Sequence, residues 1–400
     1  MTERLYLNDS YLLEFDATAV AVRETTEGIA VLLDKTAFYP ETGGQLYDFG
    51  ELEGLTVFKV AEEDSGEIWH YLKERGLPTG VAVRGKIDSA RRFDNMRKHT
   101  GQHILSRAFI EVADAETVSS RLGEVESTIE LSCPDLSDTI LEEVEALAND
   151  KVMSNLPVLI NYYGREELSR IPVRKIPDRE GRFRIIQIGE FDYSACGGTH
   201  CRSTGEVGLL KIIGAEKLRG HLRVIFLTGR QALIDYRVKS QVLTRLSSKL
   251  TCHFNDLERS IEKLTEQSQV YRRETAVLSE RLLANQLRVL ADSAASIGKE
   301  KVLFSDFDGY DIKILKEAGG KFVQENGGFL LLFNSDKLIV NVAPGLSPSA
   351  SEIAGAIVSS GLGKGGGNAV SAQVGGLPED KREEVRQNIS SFIAMKAGGR

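Results

Sequence analysis

The sequence predicts a multi-domain α+β chain: an N-terminal β-barrel over residues 1–90, a mixed α/β domain over 91–232, a coiled-coil or helical-hairpin segment over 233–297, and a C-terminal α/β domain over 298–400. Three observations predict it. Short strand-like runs separated by turn residues fill the chain from Leu5 to Asp88. Helical periodicity opens at Arg91 and then alternates with further strand-like runs. A heptad pattern occupies Leu243 to Val289. Length agrees, because 400 residues with 42% hydrophobic content exceed one core at roughly 100 to 200 residues per domain.

Each element has its own signal. In the barrel, Ala19–Arg23, Gly28–Leu33, Leu55–Val60 and Val81–Ile87 are rich in β-branched and apolar residues and are separated by turn formers. From Arg91, Met96, His99, His103 and Phe109 or Ile110 fall at helical spacing, and an amphipathic helix follows near Leu136–Asn149. Val158–Tyr163, Phe183–Ile188, Val207–Ile213 and Leu222–Thr228 read as strands. Leu243, Leu250, Phe254, Leu257, Ile261, Leu264, Tyr271, Leu278, Leu282 and Val289 then recur at steps compatible with a seam, whose polar members are Ser247, Ser268, Thr275 and Asn285. No proline interrupts this run, so two arrangements stay open: a helical hairpin within one chain, or a coiled coil that joins two copies into a homodimer. Beyond Ile297, strands at Lys301–Phe304, Phe329–Asn334 and Leu338–Val342 alternate with helices, followed by a glycine-dense loop and a charged helix from Glu379.

Composition narrows the function classes. A formal net charge of −8 argues against non-specific coating of nucleic acid, which depends on lysine and arginine releasing counterions. Basic residues are nevertheless concentrated locally, at Arg84 to Arg107 and at Arg165 to Arg184, the latter including Arg170, Arg174, Lys175, Arg179 and Arg182. No apolar run approaches the ~20 residues that span a bilayer, so the expectation is no membrane partner and a cytoplasmic location. Cys133, Cys196, Cys201 and Cys252 are sparse and irregularly spaced, which points to reduced thiols rather than a disulfide framework.

One constellation carries chemistry. His99 and His103, four apart on a helix, share a face with Cβ atoms about 5 to 6 Å apart. Cys196 and His200 are again four apart, and the two glycines between them let the backbone curl so that both ends face one point. Three imidazoles and a thiolate suit Zn²⁺, one ion per chain. The other candidates have ordinary explanations. His70 sits in a strand beside Trp69, His221 follows Gly220 in a turn, and Cys252-His253 falls in the heptad run. Cys133 reads as a small buried residue, while Cys201 is a spare thiol next to His200. A metalloprotease would need Glu directly after the first histidine, where Thr100 stands. A deaminase would need His-x-Glu and Pro-Cys-x-x-Cys, and neither occurs.

His-Thr-Gly-Gln-His at 99–103 and Cys-Gly-Gly-Thr-His at 196–200 resemble the paired zinc motifs of the alanyl-tRNA synthetase editing domain and of its free-standing AlaX relatives. Thr36-Ala-Phe-Tyr-Pro-Glu-Thr-Gly-Gly-Gln45, with Asp48 and Gly50, is similar to a loop of that family's N-terminal barrel, and Gly361 to Gly376 is similar to the glycine-rich end of the DHHA1 domain. The resemblance spans nearly the whole chain and fits the long form of AlaX. It implies a zinc-dependent deacylase that acts in trans on tRNA(Ala) mischarged with serine or glycine, with His99, His103, Cys196 and His200 as metal ligands and catalytic centre. Because the chain begins almost at the barrel, no aminoacylation is expected, and no Asp-His-His triplet accompanies the DHHA1-like part.

The same resemblance implies substrate contacts from Thr36, Gly43, Gly44, Gln45, Asp192 and Thr199, with Ser194 beside them. Thr36 would choose serine, since a hydroxyl left unpaired by alanine rejects it. It also implies tRNA contacts from Lys217, Arg219 and Arg223 and from the backbone of Gly365, Gly366 and Gly367. Four protein ligands make a closed zinc site, so either one ligand, Cys196, is loose or the attacking water sits elsewhere. The rival class is a non-catalytic tRNA-binding protein stabilised by zinc.

Overall fold

The computed structural model describes residues 1–73, 76–176, 178 and 180–397, so Arg179 and the last residues of the C-terminal domain lie outside the described residues. It divides into two compact units, Met1–Arg245 and Leu246–Arg400. In the first, β1 (Glu14–Thr25), β2 (Gly28–Leu33), β3 (Gly50–Leu52), β4 (Leu55–Glu62), β5 (Ile68–Leu72) and β6 (Ala82–Ile87) close a barrel in the order β1-β2-β5-β4-β3-β6. Alternation along β6, where Val83, Gly85 and Ile87 are buried and their neighbours exposed, turns its apolar side inward. Phe15, Val31, Leu33, Phe38, Leu52, Val57 and Leu72 fill the interior.

His70 lies inside this barrel at 0% exposure. Its Nε2 is 2.8 Å from Thr36 Oγ1 and its Nδ1 is 3.2 Å from the Val31 carbonyl. The neutral ring donates to Val31 and accepts from Thr36, and burial pushes its pKa down to about 4. The unfolded chain binds a proton at this position between about pH 6.5 and 4 and the folded chain does not, so stability falls as pH drops through that window. At 1.36 kcal/mol per unit the loss approaches about 3 kcal/mol. Urea unfolding of wild type and His70→Gln at pH 7 and pH 4.5 checks this: the wild type should lose more stability between the two pH values than the variant does.

After the barrel, Asp88 caps α1 (Ser89–Ala113) by accepting from the Arg91 N–H, and the helix ends at Asp114 in a left-handed conformation. Then come β7 (Thr117–Leu122), β8 (Ser127–Leu131), α2 (Asp138–Met153), β9 (Val158–Tyr163), β10 (Phe183–Ile188), β11 (Asp192–Ala195), β12 (Leu210–Leu218) and β13 (His221–Thr228). They form two antiparallel sheets, β12-β13-β8-β7 and β9-β10-β11. Ile104, Leu105, Ala108 and Phe109 of α1 pack with Ile129, Val144, Ile186 and Phe226 into one core, so α1 is buried on most of its circumference. The segment expected as strand from Val207 is instead a 3₁₀ turn at Thr204–Val207, and the strand starts at Leu210.

The heptad run is not continuous. Helix α3 (Gly229–Leu250) ends at Thr251, which has φ +51°, and α4 (Leu257–Leu290) begins after the short turn Phe254–Asp256. A β-branched residue in the left-handed region cannot continue a helix, and this interruption carries no proline signal. In the second unit, Leu283 and Leu287 of α4 pack with Leu303, Leu315, Leu330 and Ile339, while Ile261, Leu264, Tyr271, Leu278 and Leu282 on the seam are exposed.

The second unit also contains β14 (Ala295–Ile297), β15 (Glu300–Asp306), α5 (Ile312–Asn326), β16 (Phe329–Asn334), β17 (Lys337–Val342), α6 (Ala350–Ser359), β18 (Lys364–Gly367), β19 (Ser371–Gly375) and α7 (Arg382–Ala397). The sheet order is β14-β15-β16-β17-β19-β18. The glycine-dense segment is therefore a hairpin and not a loop: Gly365, Gly366 and Gly367 pair with Val374, Gln373 and Ala372 at the sheet edge. Low strand propensity of glycine hides such an edge strand from sequence patterning. Among the described residues no helix is long and apolar enough to cross a membrane.

Candidate metal centre

Helix α1 presents His99 and His103 from successive turns, and the chain after β11 curls through Gly197 and Gly198 to bring Cys196 and His200 to the same point. The donor atoms of all four lie within 4.8 Å of one another. The three imidazole rings stand 4.4 to 5.1 Å apart, centroid to centroid. Cys196 Sγ is 3.3 Å from His99 Nε2 and 3.4 Å from His200 Nε2. Burial favours the neutral Cys196 thiol, but the surrounding imidazoles, His99 and His200 first among them, outweigh it and hold the thiol well below its ordinary range.

Each imidazole has a partner on its other nitrogen. His99 Nδ1 is 2.6 Å from Gln45 Oε1, His200 Nδ1 is 3.3 Å from Thr100 Oγ1, and His103 Nδ1 is 3.5 Å from Asp192 Oδ2. Acceptors at Nδ1 of His99 and His200 leave Nε2 facing the centre, which is how metal-ligating histidines are oriented, while His103 Nδ1 lies between Asp192 Oδ2 and the donor Arg174 Nη2, the latter 3.4 Å away. Burial opposes charge on His103, yet Asp192 outweighs it and raises the pKa; burial likewise opposes charge on Asp192, and His103 and Arg174 lower its pKa nonetheless. Arg174 completes this corner, with Nε 2.7 Å from Ser194 Oγ and 2.8 Å from Asp192 Oδ1, and Nη2 3.1 Å from Asp192 Oδ2. Three nitrogens and one sulfur with these outer partners form a donor set that fits Zn²⁺.

The barrel loop builds part of this centre. Gln45 is fully buried, donates from Nε2 to Thr199 Oγ1 at 2.9 Å, and accepts the Thr199 N–H at 3.1 Å on the same oxygen that faces His99. Gly43 and Gly44 have left-handed backbones, and a Cβ on Gly44 would meet the Ser120 carbonyl at 2.4 Å. Asp48 accepts the Tyr39 N–H at 2.7 Å and forms a fully buried ion pair with Arg92, whose Nη1 donates to the Ser10 carbonyl at 2.8 Å. Arg184 Nη1 donates to the carbonyls of Cys196 and Gly198 at 2.7 and 3.0 Å and so clamps the Cys-Gly-Gly turn.

Beside His103 opens a cleft of about 350 Å³ lined by Gln102, His103, Thr117, Arg174, Lys175 and Ser194, among others. Inside it Thr117 Oγ1 and Gln102 Nε2 both donate to Ser106 Oγ, at 2.7 and 2.8 Å. None of Gln102, Thr117 or Arg174 was legible as a site residue, because a strand threonine and a loop arginine have no spacing signal. Thr36, expected to meet substrate, is buried in the barrel, where its hydroxyl is bonded to His70 and accepts the Phe38 N–H at 3.1 Å. Cys201 is buried next to the ligands with its thiol pushed up to about 12 by burial, and the Cys201 N–H donates to Thr100 Oγ1.

Two of the expected tRNA contacts are already ion-paired. Lys217 Nζ is 2.6 Å from Asp135 and Arg223 Nη2 is 2.8 Å from Glu130, while Arg219 lies exposed in the β12–β13 turn.

The family model for the threonyl and alanyl tRNA synthetase second additional domain matches residues 183–225, which include the Cys-Gly-Gly-Thr-His turn. The model for class II (A) tRNA synthetases matches residues 10–91, the barrel. Alanyl-tRNA editing protein AlaX-L of Pyrococcus horikoshii is 30% identical over 99% of this chain and 100% of the relative. An alanine–tRNA ligase of Archaeoglobus fulgidus is 30% identical over 99% of this chain but only 44% of its own length. An alanyl-tRNA editing protein of Bos taurus is 28% identical over 78% of this chain and 71% of the relative. With full-length coverage of AlaX-L and a barrel joined to a His-His-Cys-His centre, this chain belongs to the AlaX family of alanyl-tRNA editing proteins.

Proposed function

We propose that the chain is a trans-editing deacylase that hydrolyses the ester of serine, or of glycine, on tRNA(Ala), with His99, His103, Cys196 and His200 holding one Zn²⁺. The observation that carries this is the open cleft against His103: a centre that only braced the fold would need no cavity at its ligand. When bound, the ion supplies Lewis acidity, polarising an ester carbonyl and making water a better nucleophile. The protein's part is to hold that chemistry in place. Gln45 and Thr100 keep the Nδ1 protons of His99 and His200 on the outside of their rings, Asp192 faces His103, and Arg174 neutralises Asp192. In the reaction water adds to the carbonyl, the acyl–oxygen bond breaks, and the ribose oxygen leaves with a proton.

We assign recognition of the serine side chain to Thr117, with Ser106 and Gln102 behind it, in addition to the contact proposed for Thr36. Thr117 lines the cleft with His103, and its oxygen retains acceptor capacity after donating to Ser106. A polar site that alanine leaves unpaired discriminates against alanine. Release of labelled serine from Ser-tRNA(Ala), compared with alanine from Ala-tRNA(Ala), tests the activity. Wild type should release serine and spare alanine, and Thr117→Val should lose about tenfold or more of that preference through slower serine release. Equal rates for the two amino acids in wild type would contradict the assignment.

The closed ligand set favours one second reading, a zinc-stabilised tRNA-binding protein without turnover. Serine release at no more than the spontaneous rate, with tRNA binding intact, would select it. The tRNA contacts of Arg219 and of the Gly365–Gly367 edge stay part of the proposal, whereas Lys217 and Arg223 would first have to leave their acidic partners. Exposure of the α4 seam favours two chains joined there over a hairpin within one chain; sedimentation velocity distinguishes a dimer from a monomer. A cytoplasmic location is proposed with translation as the setting.

A further inference from the structure

The barrel loop that carries Gln45 was expected to face the substrate. Its geometry also serves the metal centre. Gln45 has no exposed surface, and three contacts use its amide: Oε1 to His99 Nδ1 at 2.6 Å, Oε1 from the Thr199 N–H at 3.1 Å, and Nε2 to Thr199 Oγ1 at 2.9 Å. The orientation of the amide follows from these partners, because Oε1 must be the atom that receives the Thr199 backbone N–H. A neutral His99 ring with its proton on Nδ1 is therefore the only tautomer that hydrogen-bonds Gln45, and it leaves the Nε2 lone pair toward Cys196.

The rest of the loop fixes Gln45 to the barrel and to β7. The Gln45 N–H donates to Thr42 O at 3.0 Å, the Leu122 N–H donates to Gly44 O at 2.8 Å, and Asp48, three residues on, is locked by Arg92. On the opposite side Gly198 leaves the space that this arrangement needs. A Cβ there would stand 2.1 Å from His99 Cε1 and 3.0 Å from Gln45 Oε1. The amide is thus a joint between three parts of the chain: the barrel loop, helix α1 and the Cys-Gly-Gly-Thr-His turn.

We infer that Gln45 is a positioning residue for the metal, which sets the His99 tautomer and makes seating of loop 42–48 and metal binding mutually dependent. A group that helps bind metal only when the loop is seated must, by reciprocity, seat the loop more firmly when metal is bound. The inference rests on the four-residue metal set and not on the identity of the substrate.

The test measures metal affinity directly, by competition of the full chain with a chromogenic chelator for Zn²⁺, in wild type, Gln45→Ala and Gln45→Glu. Loss of such an outer partner is worth about 10- to 100-fold in affinity. Gln45→Ala should weaken binding by that factor, and Gln45→Glu, which keeps an acceptor for His99 and for the Thr199 N–H, should restore most of it. With Co²⁺ in place of Zn²⁺, the visible absorption of Gln45→Ala should also shift. Hydrogen exchange at residues 43–46 should slow on adding metal to wild type and not to Gln45→Ala. Equal affinity and unchanged Co²⁺ absorption in Gln45→Ala would overturn the inference. A wild type that binds no metal would instead refute the ligand set on which it rests.

Discussion

His103→Ala is expected to lose serine release from Ser-tRNA(Ala) by about three orders of magnitude or more and to lose tight zinc binding, while the fold persists. Removing one imidazole from a three-nitrogen, one-sulfur set opens the coordination and takes away the ring that faces Asp192. Several kcal/mol of transition-state stabilisation come from a well-held Lewis acid, and 1.36 kcal/mol is a factor of ten. The fold should tolerate the change because Asp192 keeps Arg174 and Ser194 as partners, so its charge is not stranded. Zinc content by mass spectrometry and single-turnover deacylation check both halves. Full activity with zinc absent would remove the metal from the mechanism.

The second large effect is structural and remote from the ligands. Arg92→Met should cost about 3 to 5 kcal/mol, because it leaves Asp48 as an uncompensated buried charge. Both side chains have 0% exposure, and Arg92 also satisfies the carbonyls of Ser10 and Ala37. Adding Asp48→Leu to Arg92→Met should recover part of the loss, since removing both charges avoids the stranded carboxylate. Thermal unfolding of the two variants measures the difference. Because Asp48 anchors the loop that delivers Gln45, Arg92→Met should also bind zinc more weakly, which links barrel stability to the centre. Unfolding temperatures equal to wild type would show that the pair contributes nothing.

Much of this was legible in the sequence where one local rule sufficed. Gly28–Leu33, Val158–Tyr163, Phe183–Ile188 and Phe329–Asn334 read as strands with the observed bounds, because β-branched and aromatic density marks buried strands. The histidine pair on α1 and the Cys-Gly-Gly-Thr-His turn were visible because each pair is four residues apart. What stayed hidden depends on contacts between distant segments. Gln45 meets His99 across 54 positions, and Arg174 meets Asp192 from a loop. Strand Gly50–Leu52 is too short for alternation to show, and Gly365–Gly367 has no side chains to form a pattern. Thr251 ends the heptad run through backbone conformation alone, which no residue pattern announces. Thr36 stood out only through its motif position, and its bond to His70 34 residues away has no signal in the sequence.

The measurement that bears most directly on the account is serine release from Ser-tRNA(Ala) by wild-type protein stripped of metal with a chelator, verified as folded by circular dichroism, and then reloaded with Zn²⁺. The account predicts loss of turnover on stripping, recovery on reloading, and no recovery for Cys196→Ala at the same zinc concentration. Undiminished serine release from the folded, metal-free protein would contradict it.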